Sequence, residues 1–293
     1  MLQMIPRLEE LADGIIGPAP ANLNFRIVGG ARPNLVFVHG FGCSLDDWDS
    51  TIFALSDRFA CVAIDLPGHG LSQTPSANSV AAFAAEVNAV VESLELTDVI
   101  FVGHSLGTKI IRECYRQSKN AVAGLAFVDG SIYVGDPEIQ IAELQAMLSR
   151  MGIRGFVDET FRAMFSAKVH ESVVNRAIER AGGIDPNLGT QILVDSIRWE
   201  ASVGNAAWNA VKVPILLIQS TQFQPGFGRI SMTETAETPL MRKLSSLPTA
   251  VDIRVMVDTG HFPMLEEPAA VAAHLADFIR SKIEPTRAEL SRR

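Results

Sequence analysis

Short apolar runs recur along the chain, each stopped by a turn residue. NLVFVHG ends at Gly40, CVAIDLPG at Gly68, VIFVGHS at Ser105, GLAFVDG at Gly130, PILLIQS at Ser220 and DIRVMVDTG at Gly260. None alternates regularly with polar residues, so each predicts a strand buried on both faces, as in a mostly parallel sheet. LNFRIVGGARP predicts one more strand at an edge, leading into a Gly/Pro turn. Between the runs, apolar positions return at helical spacing over 45–56, 79–94, 106–118 and 268–282. The first of these opens at Ser44 with Asp47 three residues on, a capping-box spacing with an acid at the positive end of the helix. Strand and helix in alternation predict a doubly wound α/β fold.

One interval breaks the rhythm. From Ser131 to Lys212 no buried strand is legible, and helical patterns fill the sequence: EIQIAELQAMLSRM, FVDETFRAMF, VHESVVNRAIERAG and TQILVDSIRWEASVGNAAW. A connection of that length is far beyond an ordinary loop. It predicts a helical cap, residues 131–212, inserted into a core domain made of 1–130 and 213–293, over the carboxyl edge of the sheet. The tail EPTRAELSRR is polar and is expected to fray. The opening MLQMIPRLEELADG lacks the basic stretch and apolar run of a secretory signal, and no apolar run is long enough to span a bilayer.

Composition narrows the partners. The chain of 293 residues is 47% hydrophobic and only 7% aromatic, enough for a large, mainly aliphatic core. Its formal charge of -8 and the lack of a Lys/Arg block argue against nucleic acid or an anionic membrane as partner. Cys43, Cys61 and Cys114 are odd in number and lack metal-ligand spacing, so a reduced compartment, the cytoplasm, is expected and no metal or organic cofactor is implied.

The chemistry is concentrated at strand ends. VGHSLG, residues 102–107, fits G-x-S-x-G with a buried strand before it and a helix after it. A serine on so sharp a turn is exposed for attack, and glycine two residues to either side removes the side chains that would collide. Ser105 then needs a base. Of six histidines, His39, His69 and His104 sit beside early turns and read as loop-shaping residues, His170 falls in the cap and His274 in the last helix. His261, in VMVDTGHFPMLEEP, is the one late in the chain at a strand's carboxyl end. VHGFG, residues 38–42, places a glycine-flanked turn after the first core strand, so the N–H groups of Phe41 and Leu106 are the candidate donors to a developing oxyanion.

HGFGCSLDDW, DLPGHGLS, VGHSLG and GHFPMLEEP, in this order, resemble the α/β-hydrolase fold superfamily over about residues 24–130 and 213–283. The resemblance implies a nucleophile–acid–histidine triad with Ser105 and His261, and the serine at the elbow separates the chain from relatives that carry aspartate there. In many relatives the acid follows the strand after the cap, but here PILLIQSTQFQ, residues 214–224, contains no carboxylate. Asp129, ending the neighbouring strand, opens on the same edge of a parallel sheet and is placed first, as in some related lipases and dehalogenases. Glu234 beyond the Pro/Gly loop, Asp258 three residues before His261, and Asp65 in DLPGHG rank behind it.

Phe41, Tyr133, Trp199 and Phe262 are candidate lining for a pocket over Ser105, since such sites are concave and mainly apolar. These features lead to the expectation of a serine hydrolase acting on a small, largely apolar carboxylic ester or lactone. The alternatives on the same scaffold are a small-molecule receptor with little turnover, an acyltransferase, a perhydrolase or a carbon–carbon hydrolase.

Overall fold

The computed structural model describes residues 12–16, 23–75, 77–118 and 122–285. Most of the opening stretch and most of the polar tail discussed above lie outside the described residues. The apolar runs form β3 (Asn34–Val38), β4 (Ala60–Ile64), β5 (Val99–His104), β6 (Val122–Val128), β7 (Ile215–Gln219) and β10 (Val251–Val255). All six are parallel. With β1 (Ala12–Ile16) and β2 (Leu23–Val28) they build an eight-stranded sheet in the order β1-β2-β4-β3-β5-β6-β7-β10. Every residue of β3, β4, β5 and β7 is buried, which is why these strands carry no polar alternation.

Two expectations about the edges need correction. The LNFRIV strand is not an edge: β1 pairs antiparallel along its outer side and β4 along its inner side. The DIRVMVDTG strand is not buried on both faces: β10 is the far edge, bonded only to β7, and all five of its residues are partly exposed.

Helices α1 (Asp49–Leu55), α2 (Val80–Ser93), α3 (Leu106–Gln117) and α10 (Pro268–Phe278) flank the sheet. The segment expected as one helix over 45–56 starts as a 3-10 turn, Leu45–Trp48. Its Asp47 accepts the Ser44 N–H at 3.2 Å, in the capping-box arrangement of Ser44 and Asp47. Between β6 and β7 lie α4 (Pro137–Met164), α5 (Glu171–Gly182), α6 (Pro186–Trp199) and α7 (Asn205–Ala210). The first two helical patterns read from the sequence merge into α4 and are broken at Gly152, whose φ of 68° is a left-handed conformation that glycine adopts freely.

The insertion is joined to the sheet domain by buried charge. Arg112 on α3 grips both carboxylate oxygens of Glu200 and lies between the rings of Trp199 and Trp208, at 4.8 and 4.0 Å. The Trp199 indole N–H donates to Glu113 at 3.2 Å. Arg180 on α5 reaches Asp47 at 2.7 Å. After β7 the chain does not run as a plain loop. It forms a short antiparallel hairpin, β8 (Thr221–Phe223) with β9 (Arg229–Ser231), too short to leave a periodic signal in the sequence.

Candidate active site

The parallel strands end along one edge, and three of those ends meet. Ser105 sits between β5 and α3 with φ 51° and ψ -113°, a strained conformation for a residue with a side chain. A Cβ at Gly107 would run into the Val38 carbonyl oxygen, and one at Gly103 would lie 2.5 Å from the Gly107 oxygen. Both glycines are therefore needed for α3 to leave the sheet this steeply.

His261 follows β10 and precedes α9 (Pro263–Glu266). Its backbone is held from three sides. Its N–H donates to Met164 at 2.7 Å, its carbonyl accepts from His104 Nε2 at 2.7 Å, and the preceding Gly260 carbonyl accepts from the Ser220 hydroxyl at 2.7 Å. His104 also lies against the His261 ring, with centroids 4.7 Å apart. The ring so fixed spans the other two groups. His261 Nε2 is 2.9 Å from Ser105 Oγ, and His261 Nδ1 is 2.6 Å from Asp129 Oδ2.

Asp129, at the end of β6, has a left-handed backbone (φ 45°) and no solvent exposure. Its carboxylate is saturated with donors from the segment that lacked an acid. Oδ1 accepts from Gln219 Nε2 at 2.9 Å, Ser220 N at 2.8 Å and Thr221 N at 2.7 Å. Oδ2 accepts from the Thr221 hydroxyl and from Arg229 Nη1 at 3.2 Å. The other acids weighed from sequence are elsewhere. Glu234 and Asp258 are exposed. Asp65 is buried in a different turn, accepting from Asn24 and from the Leu45 and Leu71 N–H groups.

Charge follows this geometry. Burial alone would raise the Asp129 pKa, but the His261 hydrogen bond and the Arg229 charge overcome it and hold the carboxyl at about 2. Burial, helped by Arg229, lowers His261 to about 4 against the opposing pull of Asp129. At neutral pH the array therefore holds a carboxylate, a neutral imidazole and a hydroxyl. Arg229 is the residue that sequence reasoning missed. It is a lone arginine in a Gly/Pro loop, with nothing local to mark it.

The Phe41 and Leu106 N–H groups have no acceptor among the described residues. Leu106 opens α3, where the first-turn N–H groups lack helical partners and carry the positive end of the dipole. Ser105 faces a cavity of about 80 Å³, lined among others by Phe41, Tyr133, Phe161, Phe262 and Arg229. Trp199 is not part of that lining, because it is committed to Arg112 and Glu113.

A parallel sheet with an inserted run of helices, and a serine elbow facing a histidine after the last strand, is the architecture of an α/β hydrolase. Residues 35–274 match the α/β-hydrolase family, and the chain belongs to it. An uncharacterized protein of Mycobacterium tuberculosis is 34% identical over 131 residues. That match spans 41% of this chain and 38% of the relative's length. Among solved structures, one described as an N-acyl homoserine lactone degrading enzyme has a TM-score of 0.73 at 19% identity, covering 90% of this chain and 99% of its own. A thermophilic esterase from Thermogutta terrifontis also has a TM-score of 0.73 at 19% identity, covering 92% and 98%. At such identity the likeness is one of fold.

Proposed function

We propose that the protein is a serine hydrolase that cleaves a carboxylic ester or lactone of a small, largely apolar substrate. The observation that carries this reading is the unbroken line from Ser105 Oγ through His261 to the ionised Asp129, opening on an aromatic cavity. In this reading Ser105 Oγ attacks the acyl carbon while His261 Nε2 takes its proton. Asp129 keeps the imidazole N–H on Nδ1 and offsets the charge of the imidazolium. The Phe41 and Leu106 N–H groups stabilise the oxyanion. His261 returns the proton to the leaving oxygen, then activates water to release the acyl group from Ser105. The fold neighbours described as an esterase and as a lactone-degrading enzyme support the substrate class.

Turnover of p-nitrophenyl acetate tests it. Ser105→Ala, with an unchanged circular dichroism spectrum, is expected to fall to the buffer rate, and wild-type protein is expected to react once per chain with a fluorophosphonate. Turnover that survives Ser105→Ala overturns the mechanism. Fluorophosphonate labelling with no turnover of any ester or lactone identifies a receptor instead.

A further inference from the structure

The cavity at Ser105, at about 80 Å³, lies well below the usual range of roughly 300–1,000 Å³ for ligand pockets. A second cavity of about 430 Å³ lies beside it, within the usual range of roughly 300–1,000 Å³ for ligand pockets. The two share three lining residues, Tyr133, Phe223 and Phe227. These rings meet edge to face, Tyr133–Phe223 at 5.5 Å and Phe223–Phe227 at 6.1 Å, and line both cavities as a partition. Phe227 stands on a left-handed backbone (φ 65°) after Gly226 (φ 75°), and nothing lies within 4 Å of where a Gly226 Cβ would be.

The larger chamber is bounded by the loop after β6, the start of α4, the β8–β9 hairpin and the start of α8 (Pro239–Ser245). Its wall includes Ile132, Leu240 and Pro239, and its floor includes Gln219 and Thr221, the donors to Asp129. Val134 and Ile139, at 70% and 59% exposure, are two of the few large apolar side chains left in water, and both border this chamber. Asp136 and Glu143 are the charged residues of its lining, which disfavours an anionic occupant.

We infer that this chamber binds an uncharged, flexible apolar arm of the substrate, threaded past Tyr133, Phe223 and Phe227 while the scissile carbonyl sits at Ser105. The inference rests on the proposed ester chemistry and specifies the substrate: an ester or lactone carrying an alkyl chain of up to about ten carbons. A chamber of about 430 Å³ is within the usual size range of ligand pockets. Each methylene buried contributes about 0.8 kcal/mol, close to fourfold in kcat/KM.

Two ester series test it, p-nitrophenyl esters from acetyl to dodecanoyl and acetates of alcohols from ethyl to decyl, which separate an acyl arm from an alkoxy arm. In one of them kcat/KM is expected to rise at least about tenfold from two to eight carbons. Ile139→Trp, which fills the chamber mouth from an exposed site, is expected to cut the eight-to-two-carbon ratio about tenfold or more. Phe227→Ala, which opens the partition, is expected to move the optimum to longer chains. Flat profiles in both series, or a ratio unchanged by Ile139→Trp, overturn the inference. Calorimetry with 1-octanol reads the chamber without turnover. Binding that Ile139→Trp abolishes, in a protein that hydrolyses no ester, keeps the chamber and removes the proposed reaction. A wild-type protein that hydrolyses short esters but does not bind octanol removes the chamber alone.

Discussion

Arg229→Met is the most informative perturbation of the site. Arg229 Nη1 and His261 Nδ1 both contact Asp129 Oδ2, at 3.2 and 2.6 Å, so the two nitrogens are less than about 6 Å apart. At an effective dielectric constant near 20, that separation opposes a proton on His261 by about 3 kcal/mol, or about two pH units. The other charged or titratable groups facing His261 are Asp129, which favours the proton, and His104, which opposes it. Removing Arg229 also removes a donor and a positive charge from Asp129, so proton uptake by the whole pair becomes easier. The acid limb of kcat/KM is therefore expected to rise from about 4 to about 6.

In wild type the fold itself is expected to fail near that acid limb. His39, His69, His104 and His261 are all buried with lowered pKa values, burial being the main cause in each. A native pKa below the unfolded value gives stability that is complete above about pH 6.5 and is lost as pH falls, because the unfolded chain then takes up protons that the native state refuses. Four such groups cost together about 5 kcal/mol per pH unit once the pH is well below 6.5. Asp129 works in the opposite window: its contribution is lost only below the ordinary carboxylate range, so it does not compensate here. Glu86, whose carboxyl burial raises to about 7, gains stability as pH falls below that value and offsets part of the loss, so the fold is expected to fail in the acid range as the pH approaches about 4. The assay is kcat/KM for a short ester beside near-ultraviolet circular dichroism across pH 4–8. In wild type the two are expected to fall together, and in Arg229→Met activity is expected to fall first. An Arg229→Met protein, folded at pH 7, whose activity and dichroism still fall together would refute the electrostatic argument.

Asp129→Asn is expected to lower kcat by about 10³–10⁴, as loss of the orienting acid does in serine triads, while the exposed Glu234→Gln stays near wild type in the same ester assay. The reverse order would move the acid's role to Glu234. Gly107→Ala drives a Cβ into the Val38 carbonyl and is expected to cost about 1–3 kcal/mol in urea unfolding, with lower activity as the elbow shifts. An unaltered midpoint would show that α3 can move away without penalty. Burial raises the thiol pKa of Cys43, Cys61 and Cys114, so iodoacetamide at pH 7.5 is expected to leave native activity intact and to label all three only in denaturant. Rapid labelling of the folded protein would contradict that burial.

The sequence alone determined the features that local physics controls. Strands buried on both faces are apolar over nearly their whole length, with polar residues only at their ends (Asn34, His104, Gln219), so β3, β4, β5 and β7 are legible in the sequence. A serine at positive φ between a strand and a helix needs glycine at both flanks, so the elbow at Ser105 was legible too. His261 stood out by its place after the last strand. Asp129 is placed first from the sequence by its strand end, but what holds it there is not legible: it lies 132 residues from His261, and only the pairing of β6 beside β7 brings its carboxylate under the Ser220 and Thr221 N–H groups. PILLIQSTQFQ read as a gap in the chemistry, whereas the fold makes it the cradle of an acid supplied by the neighbouring strand. Arg229, Phe223 and Phe227 depend on a hairpin of two three-residue strands with no periodicity of its own, and Tyr133 on the loop after β6 that meets it. Short-range patterns record which residues are buried and where the backbone must turn. Which buried charge faces which base, and how the space over the serine is divided, is decided by contacts a hundred residues apart, and only the tertiary structure contains them.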